Sequence, residues 1–361
     1  VANKPIDEGS VDTLPIVFKV DGKIYEGFKN VRLTRSLTSL TGSFEIVLTD
    51  KFQIQKEDFT LKPGLSIECS IGTFKVFTGY IDQFAIHTTA NSRNITISGR
   101  DKTGDLVDCS VASPNEFNNM DILQIANKIC SPFGIGVKIF GAPGSKIEKF
   151  TIQQAETAFE ALERLAKKRD FLITSAPDGD LVLEKKGVVR SGTDLIEGEN
   201  TLAISCRFDN TERFSKYIVK GQSTSLLGGI GDATSGKGEA SDQGIERYRP
   251  LVIIAESSSK VDDCKKRASW EANMRAARST EISVLTRGWI KEDGLLWASN
   301  QLVNLDSISS GIKQQFLISE IKMEQSDRGR LTELSLIRPD AFEFKEDVEK
   351  EKDPLDTLGW D

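Results

Sequence analysis

The chain has 361 residues, 38% of them hydrophobic and 28% charged, with a formal net charge of -7. This is the composition of a folded protein with room for about two to four domains, not of a disordered one. The acidic balance argues against a dedicated nucleic-acid binder, which needs surplus Lys and Arg to displace counterions; it does not exclude a channel that DNA slides through, where low affinity is useful.

No apolar run approaches the roughly 20 residues that cross a bilayer as a helix. The opening VANKPIDEGSVDTLP lacks the basic-then-apolar pattern of a signal peptide. The five cysteines (Cys69, Cys109, Cys130, Cys206 and Cys264) are scattered, odd in number and without a C-x-x-C. They read as small buried thiols in a reducing compartment.

Residues 1–107 read as a first small β-barrel domain with an extended N-terminus. PIVFKV alternates, Asp21-Gly22 makes a two-residue turn, and KIYEGF, SFEIVLTD, LSIECSI, FKVFTGYIDQFAI and NITISGRD follow. That is about six strands at the spacing of a barrel or sandwich.

Residues 108–190 read as an α+β domain of order α-β-α-β-β. NNMDILQIANKIC puts Ile122, Ile125, Ala126 and Ile129 on one helical face, with Asn118 or Asn119 as the expected cap. ETAFEALERLAKKRDF is a second helix with Lys167, Lys168 and Arg169 in its last turn, where the helix dipole favours cations. A hairpin follows around Asp178-Gly179.

Residues 191–340 read as a second β-barrel domain, with a loop at 221–246 and a helix at 260–278 inserted; residues 341–361 form a charged tail. The fold class expected is mainly β: two similar small β-barrels plus the α+β domain.

The barrels resemble each other in pattern. FEIVLTD (44–50) lines up with EISVLTR (281–287), Leu65 with Leu302, Ile81 with Ile321, and Arg100 with Arg338. A competing match sets EGFKNVRLTR against EGENTLAISCR, so the extent of the second copy stays open. With two such units per chain, three chains can close into a ring of six near-equivalent barrels.

Taken together, VRLTRSLTSLTGSFEIVLTD (31–50), FTGYIDQF (77–84), SGRDKTGDLVDCS (98–110), CSPFGIGV (130–137), EGENTL (197–202), RFSKYIVKG (213–221), RYRPLVIIAE (247–256) and GWIKEDGLLWASNQLV (288–303) carry a resemblance that spans nearly the whole chain. In them the sequence resembles the baseplate hub proteins of Mu-like contractile-tailed phages and prophages. That resemblance implies a structural virion protein: a homotrimeric ring in the tail baseplate, joining a sixfold tail tube to a threefold spike around a channel for DNA ejection. It implies assembly in the host cytoplasm and neither cofactor nor membrane insertion.

The motifs for chemistry are weak beside this. GDATSGKG (231–238) matches a phosphate-binding loop except at its last position, where Gly238 stands in place of Ser or Thr; the flanks supply neither a buried strand nor a helix, and a surface loop is expected. His87 is the single histidine and reads as an exposed strand residue. Asp101, Asp105 and Asp108 are read as turn and capping residues; a tail-associated polysaccharide hydrolase, the alternative function, would need two of them across a cleft. Lys265, Lys266, Arg267, Arg275 and Arg278 read as a solvated helix face. Trp270, Trp289, Trp297 and Trp360 are the candidate subunit-interface anchors, since Trp is enriched at such positions.

Overall fold

The computed structural model describes residues 14–25, 28–49, 61–89, 93–167, 169, 171–187, 189–221, 237–254 and 261–339. They fall into two compact units, 14–206 with 281–339, and 207–280. The expected tail and Trp360 lie outside the described residues.

The larger unit opens with β1 (Ile16–Val20) and β2 (Lys23–Tyr25). Asp21 and Gly22 turn the chain between them with φ of 46° and 82°, the left-handed pair that a two-residue hairpin needs. Then come β3 (Asn30–Ser36), β4 (Ser39–Thr49), β5 (Ser66–Ile71), β6 (Phe74–Thr88) and β7 (Arg93–Asp101). Alternation buries one side of each strand, as in the BiBeB pattern of IVFKV.

The α+β segment follows: α1 (Gly104–Asp108), β8 (Glu116–Met120), α2 (Ile122–Cys130), β9 (Val137–Phe140), β10 (Ile147–Thr151), α3 (Ala158–Lys167), β11 (Leu172–Ser175) and β12 (Leu181–Glu184). Helix α2 is capped by Asp121, not by Asn118 or Asn119: the Asp121 side chain accepts from the Gln124 amide at 2.9 Å, and the Gln124 side chain accepts the Asp121 amide at 3.1 Å. This reciprocal box outcompetes a lone Asn, and the two asparagines stand in β8, paired with β10. Those two strands were absent from the expected order, because EFNNM and IEKFT each bury only one residue and show no alternation. The segment has its own core of Ile122, Ile125, Leu162, Leu165, Phe117 and Phe150.

The chain then returns to the main sheet through β13 (Val189–Arg190), β14 (Leu195–Ile196) and β15 (Thr201–Phe208). Its last strands are β19 (Thr280–Arg287), β20 (Gln301–Ser307), β21 (Ile312–Ser326) and β22 (Gly329–Ile337).

The strands run in the order β15-β19-β22-β21-β3-β4-β7-β6-β5-β1-β2, with β20 branching from β21. Two similar small β-barrels are expected; the described strands form one continuous sheet, with no closed barrel among them. The reason is the length of β21. Its first half pairs with β20 up to Leu317, and on the same side its second half, Glu320–Gln325, pairs with β3. One strand therefore serves both repeats.

The smaller unit, 207–280, has a three-stranded sheet in the order β17-β16-β18, from β16 (Lys216–Lys220), β17 (Lys237–Ser241) and β18 (Pro250–Ile254). Helix α4 (Val261–Arg278) covers it through Cys264, Ala268 and Ala272 against Tyr217 and Val219. The helix stands where it was expected, but β17 lies inside the segment expected to be a loop. Its Gly238 explains the tight fit: a Cβ there would come 2.1 Å from the Cys264 carbonyl carbon.

Candidate assembly surfaces

The repeat is a repeat of strand pairing. In the first copy β4 pairs with β7, β7 with β6, and β6 with β5. In the second, β19 pairs with β22, β22 with β21, and β21 with β20. Strands β3 and β15 each lead their copy, beside β4 and β19. Both competing sequence matches are therefore parts of the second copy, with the smaller unit inserted between β15 and β19.

Pairing also fixes the register. The long strand of each repeat slips once against its partner, β6 against β7 between Ile81 and Gln83, and β21 against β22 between Ile318 and Glu320. Ile81 therefore corresponds to Ile318, not to Ile321, and Gly99 to Leu336; Arg100 corresponds to Ile337, not to Arg338. Phe44 faces Gly99 and Ile282 faces Leu336, so Phe44 corresponds to Ile282 and the letter match FEIVLTD/EISVLTR is displaced by one residue. An odd displacement swaps the two faces of a strand: it would have set buried Phe44 on exposed Glu281.

The candidate interface tryptophans are placed differently from one another. Trp289 and Trp297 are 0% and 5% exposed in the main core. The Trp289 indole N–H donates to the Glu324 carbonyl at 3.0 Å, and the Arg330 guanidinium lies over its ring. Both rings are enclosed by their own chain, which leaves them no surface to offer another. Trp270 is half-buried on α4 beneath the Arg267 guanidinium. Sequence proximity brought these residues together; burial separates them.

The three aspartates are engaged in structure. Asp101, 1% exposed, accepts the Gly42 amide at 2.8 Å and the hydroxyls of Thr41, Thr103 and Ser175 at 3.0, 2.5 and 2.5 Å. Arg35 completes this junction by donating to the Ser175 carbonyl at 2.6 Å. Burial lowers the Arg35 guanidinium from its ordinary value, while the Asp101 and Asp178 charges pull it back up. Arg100 clamps Asp108 at 2.7 Å and Asp82 at 2.8 Å, and this hydrogen bonding holds the Asp108 carboxyl below the usual carboxylate range. Asp105 stands in the first turn of α1.

One cleft, of about 500 Å³, opens within the larger unit, lined by Phe77, Phe140, Trp297 and Met323 with Arg35 and Lys138. Among the described residues, Glu184 is the one carboxylate on its wall, and it accepts from the Thr174 hydroxyl at 2.8 Å. A glycosidase-like pair of acids is not assembled there.

The other sequence candidates are equally committed. Lys237 begins a strand, not the helix that a phosphate loop requires. It pairs with Glu239 at 2.7 Å, whose carboxyl is held at about 2 by hydrogen bonds from Lys216 and Lys237. On α4, Glu271 links Arg267 at 2.6 Å and Arg275 at 3.2 Å. His87 is exposed on β6. Of the cysteines, Cys69, Cys130 and Cys264 are buried and Cys109 is exposed; burial pushes the Cys69 thiol up and Cys130 to about 12, too high for reactive thiolates.

Several strand edges stay open among the described residues, and two of them, which sequence reasoning missed, belong to the repeat. Strand β15 ends the sheet, and Leu202 on it is 49% exposed. The far half of β6, Gln83–Thr88, has β7 on one side and, among the described residues, no strand on the other. Ile86 there is also 49% exposed. Unpaired edges carrying apolar side chains are strand-addition sites that proteins normally cover.

Comparison with known proteins agrees with this architecture piece by piece. Residues 15–101 match the family model "Mu phage baseplate assembly protein GpP-like, N-terminal". Residues 103–185 match "Baseplate hub protein gp44-like, second domain", and residues 260–345 match "Mu phage baseplate assembly protein GpP, fourth domain". The baseplate hub protein gp44 of Escherichia phage Mu is 35% identical over 340 residues, covering 91% of this chain and 88% of that one. The crystal structure of the 43 kDa tail protein of prophage MuSo2 from Shewanella oneidensis superposes with a TM-score of 0.81 at 36% identity, covering 91% of this chain and 99% of that one. A tail protein from Neisseria meningitidis MC58 shares the fold, with a TM-score of 0.72 at 23% identity over 91% and 98% of the two chains.

Proposed function

The chain belongs to the baseplate hub family of Mu-like phages, structural proteins of the virion tail, and we propose that it works there as a homotrimeric ring adapting a sixfold tail tube to a threefold spike. The observation that carries this reading is the pairing repeat. A chain with two pairing-equivalent strand sets contributes two near-equivalent positions to a ring, so threefold closure presents six. The net charge of -7 suits a channel wall that lets DNA pass without holding it. Tube, spike and neighbouring baseplate proteins are the partners on this reading, met as the tail is assembled in the host cytoplasm.

Light scattering on the purified chain should give three times the 39.8 kDa chain mass, and negative-stain images should show a ring with a central opening. A single-chain species at micromolar concentration, or a closed dimer, defeats the proposal.

A further inference from the structure

We propose that residues 355–361 of the same chain, LDTLGWD, seat in the cleft of the larger unit, with the Trp360 side chain as anchor and its indole N–H donating to Gln301 Oε1.

The cleft suits an apolar group that carries one donor. Phe77, Trp297 and Met323 stand on its wall, and Phe140 and Val189, which also line it, are 63% and 57% exposed. Large apolar side chains open to water along a concave wall mark a binding surface. Its charged groups are already engaged. Lys138 pairs with Asp178 and, at 3.1 Å, with Asp180, Glu184 accepts from Thr174, and Arg35 donates to the Ser175 carbonyl. One polar atom on the wall is not engaged: Gln301 Oε1 is buried and has no hydrogen-bond partner among the described residues. Leaving a buried acceptor unpaired costs stability, so an occupant with an N–H is favoured over a purely apolar one.

Residues 355–361 have that chemistry. Beyond Val348 the large apolar side chains are Leu355, Leu358 and Trp360, set off by the charged run EKEKD at 349–353. Tryptophan is a donor with a large apolar body, so one side chain matches both the walls and the acceptor. A cleft of about 500 Å³ has room for an indole with a leucine beside it.

Strand order supplies the route. Strand β22 ends at Ile337, opposite Leu317, and Leu317 has Leu302 on its other side. Gln301 comes immediately before Leu302. Neighbouring strands lie about 4.8 Å apart, so the chain leaves the sheet roughly 10 Å from the cleft wall. The stretch from Ile337 to Trp360 can span several times that distance.

The test uses the full chain with exposed Cys109 replaced by Ser. Val189→Cys with Leu358→Cys should oxidise to a single-chain species joined between 189 and 358 in peptide maps. Ile308→Cys, at an 89% exposed position just past the far end of β20, should stay unlinked when combined with Leu358→Cys. Equal linking there means that the segment has no preferred seat and overturns the proposal. Two-chain bands from the Val189→Cys, Leu358→Cys variant put another copy's segment in the cleft and overturn the seat within the chain. The anchor is read separately. Emission of the chain minus that of its Trp360→Phe variant isolates Trp360. It should be blue-shifted and shielded from acrylamide, and Val189→Arg should return it to the emission of free tryptophan. Solvent-exposed emission without that substitution overturns the anchor. Buried emission without the 189–358 link places Trp360 elsewhere and overturns the seat.

Discussion

The two strand repeats of the larger unit share one pairing scheme and fill it with different chemistry. Where the first sets Phe44 across from Gly99, the second sets Ile282 across from Leu336. A Cβ on Gly99 would meet the Phe44 ring at 2.7 Å and the Tyr80 carbonyl oxygen at 2.0 Å. One repeat thus fills the site from one strand, the other from both. A second contrast lies at the strand irregularities, where Arg100 grips Asp82 at 2.8 Å and the Ser319 hydroxyl donates to the Ser335 carbonyl at 3.0 Å. Strand topology tolerates wide changes in side chains as long as volume and hydrogen bonds are satisfied locally.

The sharpest break in the comparison should come at the lead strands. Leu33→Ala, in the sealed joint, should cost about 2–5 kcal/mol by chemical denaturation. Ile204→Ala, its counterpart at the open edge, should cost less than about 1 kcal/mol when measured on the dissociated chain. Equal costs would mean that β15 is already sealed in a single chain, and the contrast would fail.

Gly99→Leu should cost about 3 kcal/mol, at the upper end of the range for overpacking. Adding Phe44→Ile makes the pair resemble the second repeat. It should recover part of that loss, because the ring clash goes while the Tyr80 carbonyl remains. A double-mutant cycle should therefore show coupling of about 0.5–3 kcal/mol; strictly additive costs would show that the two sites do not share the space.

The smallest effect is one of pH. Arg100 holds the Asp108 carboxyl below its ordinary value, so this pair stabilises the fold above the ordinary carboxylate range. Its contribution is lost as the pH falls through the lowered folded-state value. In Asp108→Asn the melting temperature should be lower at neutral pH and fall less steeply between about pH 5 and about pH 2. Ser319→Ala, at the neutral clamp of the second repeat, should leave that acid limb unchanged.

Much of the fold was legible in the sequence because alternation and helical periodicity report burial directly. The hairpin at Asp21-Gly22 and the helices at 122–130 and 158–167 stand where those signals put them. Register was not legible. A period of two fits a strand equally well at any even shift, and matching letters drew Phe44 onto Glu281, an odd shift that only the pairing corrects. Trp289 and Trp297 misled for a related reason: large aromatics serve cores and interfaces alike, and composition does not distinguish them from surface anchors. The open edges escaped notice because Leu202 and Ile86 sit in segments that read like any other strand; what marks them is that, among the described residues, no strand stands on their other side.

The β21–β3 joint also changes the arithmetic of assembly. In a ring of six separate modules every joint would be a meeting of two molecules. Here half the joints form during folding, at the high effective concentration of a single chain. In the proposed trimer only three encounters remain, and a partly built ring is a chain of two rather than one of up to five. A fused pair of modules thus reaches closure at lower concentration and with fewer dead-end intermediates than free modules of equal edge affinity.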